Sequence, residues 1–112
     1  YVLSAGYYDE YYGKAVEARR LITKELRKLF EEVDLMLTPT TPSPAWRVGE
    51  KSQSPLEMYL EDIFTVHANI SGCPAISLPS GLAGKLPLGI ELTADLGRED
   101  NLFVAGRDFM GE

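Results

Sequence analysis

The sequence has 112 residues, of which 45% are hydrophobic, with a formal net charge of -6 and a pI near 4.8. That length predicts one small domain, and the acidic balance argues against a free-standing nucleic-acid-binding protein, which would normally carry a basic stripe for phosphates. The single cysteine excludes an intrachain disulfide and a cysteine-based metal site, and no apolar run approaches the ~20 residues that span a bilayer, so we expect a soluble protein of the reducing cytoplasm.

The first half of the chain predicts a long helix, a strand and a proline-rich loop, in that order. Apolar residues recur at steps of three, four and seven between residues 7 and 33, with charged residues between them, which is typical of an amphipathic helix. The tyrosines at positions 7, 8, 11 and 12 could stack on bases, but without a basic groove we interpret them as helix-packing residues. Residues 35–37 then form an apolar run, which predicts a buried strand entering a loop rich in proline.

The second half of the chain begins with another predicted helix, from residue 55 to residue 70. Ser54 and Glu57 have the spacing of a capping box, and Pro55 stands at the first helical position, where its missing N–H costs nothing. Gly72 and Pro74 are expected to end this helix.

Two strands and a final helix are predicted to complete the chain. Residues 75–78 and 88–92 are joined by a short loop that contains glycine, which makes antiparallel pairing plausible. Asp100 can cap the final helix, which Gly106 interrupts only mildly. Three residues form the apolar side of that helix: Leu102, Ala105 and Phe109. The order of the elements indicates a mixed α/β layer structure without internal repeats.

Few residues in this sequence suggest chemistry, since no zinc-binding, P-loop or dinucleotide pattern is present. His67 is the only histidine, and no nucleophile motif accompanies it, which favours a hydrogen-bonded core residue over a catalytic base. Cys73 lies between Gly72 and Pro74 with no basic neighbour, which favours a buried structural thiol over a nucleophile.

Asp62 is the more interesting polar residue, because Tyr59, Asp62, Val66 and Asn69 share a face at helical spacing. A carboxylate held there could accept hydrogen bonds from the ammonium group of a small ligand, and the phenol of Tyr59 could offer a second contact. Spacing alone favours the simpler interpretation, a solvent-exposed or capping acid, and both interpretations stay open.

Five segments of the chain carry a resemblance to a known family. LMLTPTTPSPA at 35–45, NISGCPAISLPSG at 69–81 and LPLGI at 86–90 resemble, in this order, the C-terminal third of amidase signature enzymes. YVLSAGYYDEYYGKA at 1–15 and SPLEMYLED at 54–62 are similar to the A subunits of glutamyl-tRNA(Gln)/aspartyl-tRNA(Asn) amidotransferases, and general amidases usually differ there. The resemblance extends over nearly the whole chain.

The resemblance implies the α/β amidase signature fold, a mixed β-sheet flanked by helices, of which residues 1–112 would be a single partial domain. It also implies glutamine hydrolysis, in which a serine attacks the side-chain amide while a second serine, in a cis peptide, and a lysine relay protons. Those three residues have no counterpart in this sequence, so we assign no catalytic residue and expect the chain alone to be inactive. In that family the aspartate matching Asp62 helps hold the α-amino group of glutamine, which makes Asp62 and Tyr59 the predicted substrate-binding residues.

The partners that the resemblance implies are the B and C subunits of the amidotransferase. Ammonia would pass to the B subunit, which uses ATP and magnesium to amidate the activated glutamyl or aspartyl group on mischarged tRNA. Contact with tRNA would therefore occur only through the B subunit. No cofactor is implied for this chain itself.

Our preferred hypothesis is thus the C-terminal part of a glutaminase subunit whose catalytic N-terminal part is absent. The chain begins at Tyr1 and ends directly after a predicted amphipathic helix, so we expect both ends to lie within a longer protein. Strands and helices that met the missing part would face water, so the isolated chain is expected to self-associate. Two alternatives remain: the C-terminal part of a generic amidase, and a free-standing α/β interaction module.

Overall fold

The computed structural model describes residues 11–50 and 54–112, which form a three-stranded antiparallel sheet and four helices. The helices are α1 (Gly13–Phe30), α2 (Pro55–Leu60), α3 (Val66–Ser71) and α4 (Glu99–Met110), and the strands are β1 (Leu35–Pro39), β2 (Ala75–Ala83) and β3 (Leu86–Ala94). The predicted mixed α/β class is confirmed. Within the described residues, no helix is both long enough and apolar enough to cross a membrane.

β3 is the central strand of the sheet, with β1 on one side and β2 on the other. Both pairings are antiparallel, with Leu35 opposite Ala94 and Ile76 opposite Leu92. The predicted pairing of the last two strands is therefore confirmed, and both strands are longer than the sequence pattern suggests. Their connection is a tight turn that Gly84 enters at a φ of 64°, a conformation that suits glycine. A bulge interrupts the β2 register between Pro79 and Gly81.

The hydrophobic core lies between one face of the sheet and α4. Leu92, Ala94 and Leu102 are buried at its centre, and four partly buried residues pack around them: Leu35, Ile76, Leu78 and Ala105. Gly106 is more than an interruption of α4, because a Cβ built on it would lie 3.1 Å from Ile76 Cδ1. The absence of a side chain at position 106 thus lets the helix approach the sheet closely.

The predicted cap of the final helix is wrong. Arg98, not Asp100, precedes the first helical residue, and Asp100 stands in the first turn, where its carboxylate accepts a hydrogen bond of 3.2 Å from Arg98 Nε. Phe109 lies on the same side of α4 as Leu102 and Ala105, as predicted, but it is 51% exposed whereas Leu102 is buried. The carboxylate in the first turn still stabilises the helix, because it faces the positive end of the helix dipole.

α1 covers the central part of the long helix predicted from the amphipathic pattern. Its buried residue is Leu26, and Arg19 Nε donates a hydrogen bond of 2.7 Å to the carbonyl of Ile70, which joins α1 to α3. Tyr11 and Tyr12 are 55% and 37% exposed. The tyrosines at positions 7 and 8 lie outside the described residues.

The helix predicted from 55 to 70 is wrong as a continuous element, because it divides into α2 and α3. Backbone bonds to the third preceding residue tighten the chain between them, including Asp62 N–H to the carbonyl of Tyr59 at 3.3 Å. The hydroxyl of Thr65 also bonds the carbonyl of Asp62, which competes with the regular helical pattern. Both predicted ends hold: Ser54 Oγ accepts from Glu57 N–H, and Gly72 ends α3 at a φ of 77°.

Candidate functional site

The two predicted substrate-binding residues lie at the end of α2 and in the turn that follows it. Tyr59 is 78% exposed, and Asp62 is also exposed. Since α2 and α3 are separate helices, the helical face that would have joined these residues to Val66 and Asn69 is not continuous. The amide of Asn69 instead donates to the carbonyl of Thr65, so it helps to hold the turn.

Hydrogen bonds hold the backbone of Asp62 from both sides. Its N–H donates to the carbonyl of Tyr59 at 3.3 Å, and its own carbonyl accepts from the N–H groups of Thr65 and Val66, each at 3.1 Å. The hydroxyl of Thr65 adds a further contact of 3.3 Å to the same carbonyl. The carboxylate of Asp62 is therefore exposed on a backbone whose position is well defined.

Glu61 is a residue of this segment that the sequence did not single out. Its side chain is buried, with 8% of its surface exposed, and Ser43 Oγ donates to both carboxylate oxygens, at 3.1 and 3.3 Å. A glutamate in a predicted amphipathic helix is normally taken for a solvated charge. Nothing in the local sequence indicates burial, because Ser43 is 18 residues away and only the tertiary fold brings it close.

A cleft of about 430 Å³ lies between α1 and α3. Eight residues line it: Tyr12, Ala15, Val16, Ala18, Arg19, Ile22, Asn69 and Ile70. Neither Tyr59 nor Asp62 is among them. The structure therefore does not combine this cleft and the predicted substrate residues into one pocket.

The face of the sheet opposite the core carries a polar cluster. His67 Nε2 forms a hydrogen bond of 3.0 Å with Thr93 Oγ1 and lies 3.8 Å from Glu91 Oε1. Burial raises the pKa of Glu91, and the nearby His67 partly offsets that rise. Within the described part of the chain, Glu91 Oε1 and Thr38 Oγ1 are buried without a hydrogen-bond partner. The predicted hydrogen bonding of His67 is confirmed, but the residue is half-buried on the polar face of the sheet and does not belong to the hydrophobic core.

Neighbouring residues extend this polar face towards the loop after β1. The hydroxyls of Thr40 and Ser77 share a hydrogen bond of 2.6 Å. They meet beside Gly89, where a Cβ would lie 2.8 Å from Thr40 Oγ1 and 3.1 Å from Ser77 Oγ. The β3 strand has no side chain at this point, and the hydroxyl pair occupies that space.

Cys73 is a buried free thiol, as predicted, with 9% of its surface exposed. Its N–H donates to Ser71 Oγ at 3.2 Å, so its backbone belongs to the turn that ends α3. Among residues 11–50 and 54–112, no three histidine, cysteine or acidic side chains are grouped so that they could hold a metal ion.

Comparison with known proteins identifies related sequences. A family model described as Amidase matches residues 1–103. The A subunit of the glutamyl-tRNA(Gln) amidotransferase of Clostridium botulinum (strain Eklund 17B / Type B) is 52% identical over 103 residues, which is 92% of this chain and 21% of that protein. The protein of the same name from Parvibaculum lavamentivorans is 54% identical over 106 residues, or 94% of this chain and 22% of that protein. The chain thus spans about a fifth of the length of these curated relatives.

Solved structures show the same similarity. The A subunit of the glutamyl-tRNA(Gln) amidotransferase of Thermotoga maritima superposes with a TM-score of 0.75 at 45% identity, covering 83% of this chain and 20% of that one. A 6-aminohexanoate cyclic dimer hydrolase superposes with a TM-score of 0.76 at 30% identity, covering 86% of this chain and 23% of that one.

Proposed function

Because the chain belongs to the Amidase family, we propose that it is part of the glutamine-hydrolysing A subunit of a tRNA-dependent amidotransferase. The observation that carries the proposal is the 52% identity to such a subunit over 92% of the chain. The cyclic dimer hydrolase, whose fold matches equally well, is 30% identical. Sequence similarity therefore favours the amidotransferase branch over an amidase with another substrate.

In this proposal the chain supplies part of the wall of the glutamine site. The carboxylate of Asp62 accepts hydrogen bonds from the α-amino group of glutamine, and the phenolic hydroxyl of Tyr59 makes a second polar contact. The fixed backbone of Asp62 supports this role, since a carboxylate held in place loses less freedom when it binds an ammonium group. The serines and the lysine that cleave the amide lie in the rest of the protein.

The released ammonia serves a partner, the B subunit, which uses ATP and magnesium to amidate the aminoacyl group on mischarged tRNA. The C subunit completes the assembly, which we expect in the cytoplasm. This chain contributes substrate binding to the first half-reaction only. Its overall charge of -6 fits a role in which tRNA is bound by another protein of the complex.

The test is the substitution Asp62→Asn in the complete subunit, expressed from its gene and assembled with its partners. Loss of a charge-assisted hydrogen bond costs about 1.5–3 kcal/mol, so the KM for glutamine should rise roughly 10- to 100-fold, with a smaller change in kcat. Asp108→Asn is the matched control, because Asp108 is an exposed aspartate on α4, away from this segment. A wild-type KM in the Asp62 variant would exclude this residue from the glutamine site.

A second candidate is a generic amidase, because the cyclic dimer hydrolase also superposes on this chain, with a TM-score of 0.76. Hydrolysis rates for glutamine and for a simple aliphatic amide, measured on the complete subunit, separate the two functions. A clear preference for glutamine supports the amidotransferase function. A preference for the aliphatic amide supports the generic amidase instead.

A further inference from the structure

The segment that carries the predicted substrate residues Tyr59 and Asp62 is attached to the rest of the fold through the side chain of Glu61. All of α2 is exposed, and Asp62 and Ile63 beyond it are exposed as well. Glu61 is the buried residue within this stretch, with 8% of its surface accessible. Burying a carboxylate costs free energy unless hydrogen bonds compensate its charge. A buried glutamate next to Asp62 whose charge is compensated by hydrogen bonds therefore indicates a structural role.

Two hydrogen bonds to the Glu61 carboxylate come from a stiff loop. Ser43 Oγ donates to both oxygens of Glu61, and Ser43 lies between Pro42 and Pro44, whose rings fix their own φ angles. The hydroxyl of Thr41 donates to the carbonyl of Ser43 at 2.9 Å, which restricts the loop further. The backbone that carries Ser43 is thus restrained by the loop itself.

This loop is in turn fastened to the sheet. It follows β1 directly, and the N–H of Thr40 donates to the carbonyl of Gly89 on β3 at 3.1 Å. At the other end of the turn, His67 on α3 bonds Thr93 on the same central strand. The turn that contains Asp62 is therefore attached through polar side chains on both sides, and both attachments lead to β3.

We propose that Glu61 is a positioning residue for glutamine binding: held by Ser43, it fixes the turn so that Asp62 presents its carboxylate to the α-amino group. The inference rests on the proposed function, because it concerns the same substrate site. It assigns roles to two residues that do not touch substrate. Without this attachment the turn keeps only its local hydrogen bonds and the His67–Thr93 contact, so it is less ordered before binding, which lowers affinity.

The experiment compares four variants of the complete subunit in its assembled form: Glu61→Ala, Glu61→Gln, Ser43→Ala and the double variant Ser43→Ala/Glu61→Ala. The two alanine variants should raise the KM for glutamine about three- to tenfold, with kcat within about twofold of wild type. Glu61→Gln keeps an oxygen that can accept from Ser43, so its KM should be close to wild type. The double variant should be no worse than Glu61→Ala alone, because Glu61→Ala already removes the interaction with Ser43.

A second measurement does not depend on turnover. Amide hydrogen exchange at residues 59–66 should be faster in Glu61→Ala and Ser43→Ala than in wild type, and unchanged in Glu61→Gln. Glu25→Ala is the matched control, since Glu25 is an exposed glutamate on α1, outside this segment. That variant should change neither the KM nor the exchange rates of the turn.

The outcomes separate this inference from the proposed function. If Asp62→Asn raises the KM while the alanine variants at Glu61 and Ser43 do not, the positioning role is refuted and the substrate role of Asp62 stands. If Asp62→Asn leaves the KM unchanged, both fail. A fall in kcat with an unchanged KM in Glu61→Ala would mean a general structural role and would also overturn the inference.

Discussion

Replacing Gly89 by alanine should destabilise the sheet, because the new methyl group would lie between two hydroxyls that bond each other. It would stand 2.8 Å from Thr40 Oγ1 and 3.1 Å from Ser77 Oγ, where the hydroxyls are now 2.6 Å apart. Carbon atoms do not approach oxygen that closely without a shift of the neighbours. At least one of the two side chains must therefore move, and the hydrogen bond between them is lost.

The expected change in the free energy of unfolding is the sum of three contributions. The lost hydrogen bond costs about 1 kcal/mol, and forcing a methyl group into a filled site costs about 1–3 kcal/mol. The smaller conformational freedom of alanine in the unfolded chain returns about 0.4–1 kcal/mol. The free energy of unfolding should thus fall by about 1–3 kcal/mol.

Urea unfolding of the 112-residue chain, followed by the fluorescence of its single tryptophan, Trp46, measures this change. The control is Thr40→Ala, alone and combined with Gly89→Ala. Without the Thr40 hydroxyl the closest contact of the new methyl group is removed, so Gly89→Ala should cost less in the Thr40→Ala background than in wild type. Equal costs in both backgrounds, or a Gly89→Ala chain as stable as wild type, would refute the steric argument.

Further substitutions, on the polar face of the sheet and in the hydrophobic core, are tested by the same unfolding assay. Burial raises the pKa of Glu91 above its ordinary value of 4.5, so the folded state holds that proton more tightly than the unfolded state, and stability is lost as pH rises from 4.5 through the raised pKa. Glu91→Gln should therefore be more stable than wild type at pH 7, and this gain should disappear near pH 4. A gain that does not depend on pH would contradict the assignment. Leu102 is a core residue with 1% exposure, so Leu102→Ala should lower the free energy of unfolding by about 2–5 kcal/mol. The control is Phe103→Ala, at a position 63% exposed, which should change it by less than about 0.5 kcal/mol. Similar changes in both variants would show that Leu102 is not part of the core.

The parts of the fold that the sequence predicts well are those decided by neighbouring residues. Ser54 and Gly72 mark helix ends through their own backbone and side-chain chemistry, and both are found where expected. The break between α2 and α3 was missed because the apolar spacing continues through it, while the hydrogen bonds around Asp62 follow another pattern.

The candidate site also combines residues that the sequence predicts with residues that only the tertiary fold reveals. Asp62 and Tyr59 were proposed from residue type and family resemblance, and their role in binding stays a prediction. Glu61 could not be found in this way, because its burial depends on a serine in a distant loop. The polar pair of His67 and Thr93 is equally non-local, since the two residues are 26 positions apart.

The bulge in β2 has a consequence for how this region can change during evolution. Side chains alternate between the faces of a strand, so one inserted or deleted residue normally exchanges the polar and apolar sets along the rest of that strand. In β2, Pro79 pairs with Gly89 and Gly81 with Leu88, so Ser80 already stands outside the alternation. The strand register of the outer part of the hairpin, beyond the bulge, is thus independent of the register of the part that faces α4 and His67. A change of length in the hairpin tip can therefore be absorbed at the bulge while the register that separates core from polar residues is preserved.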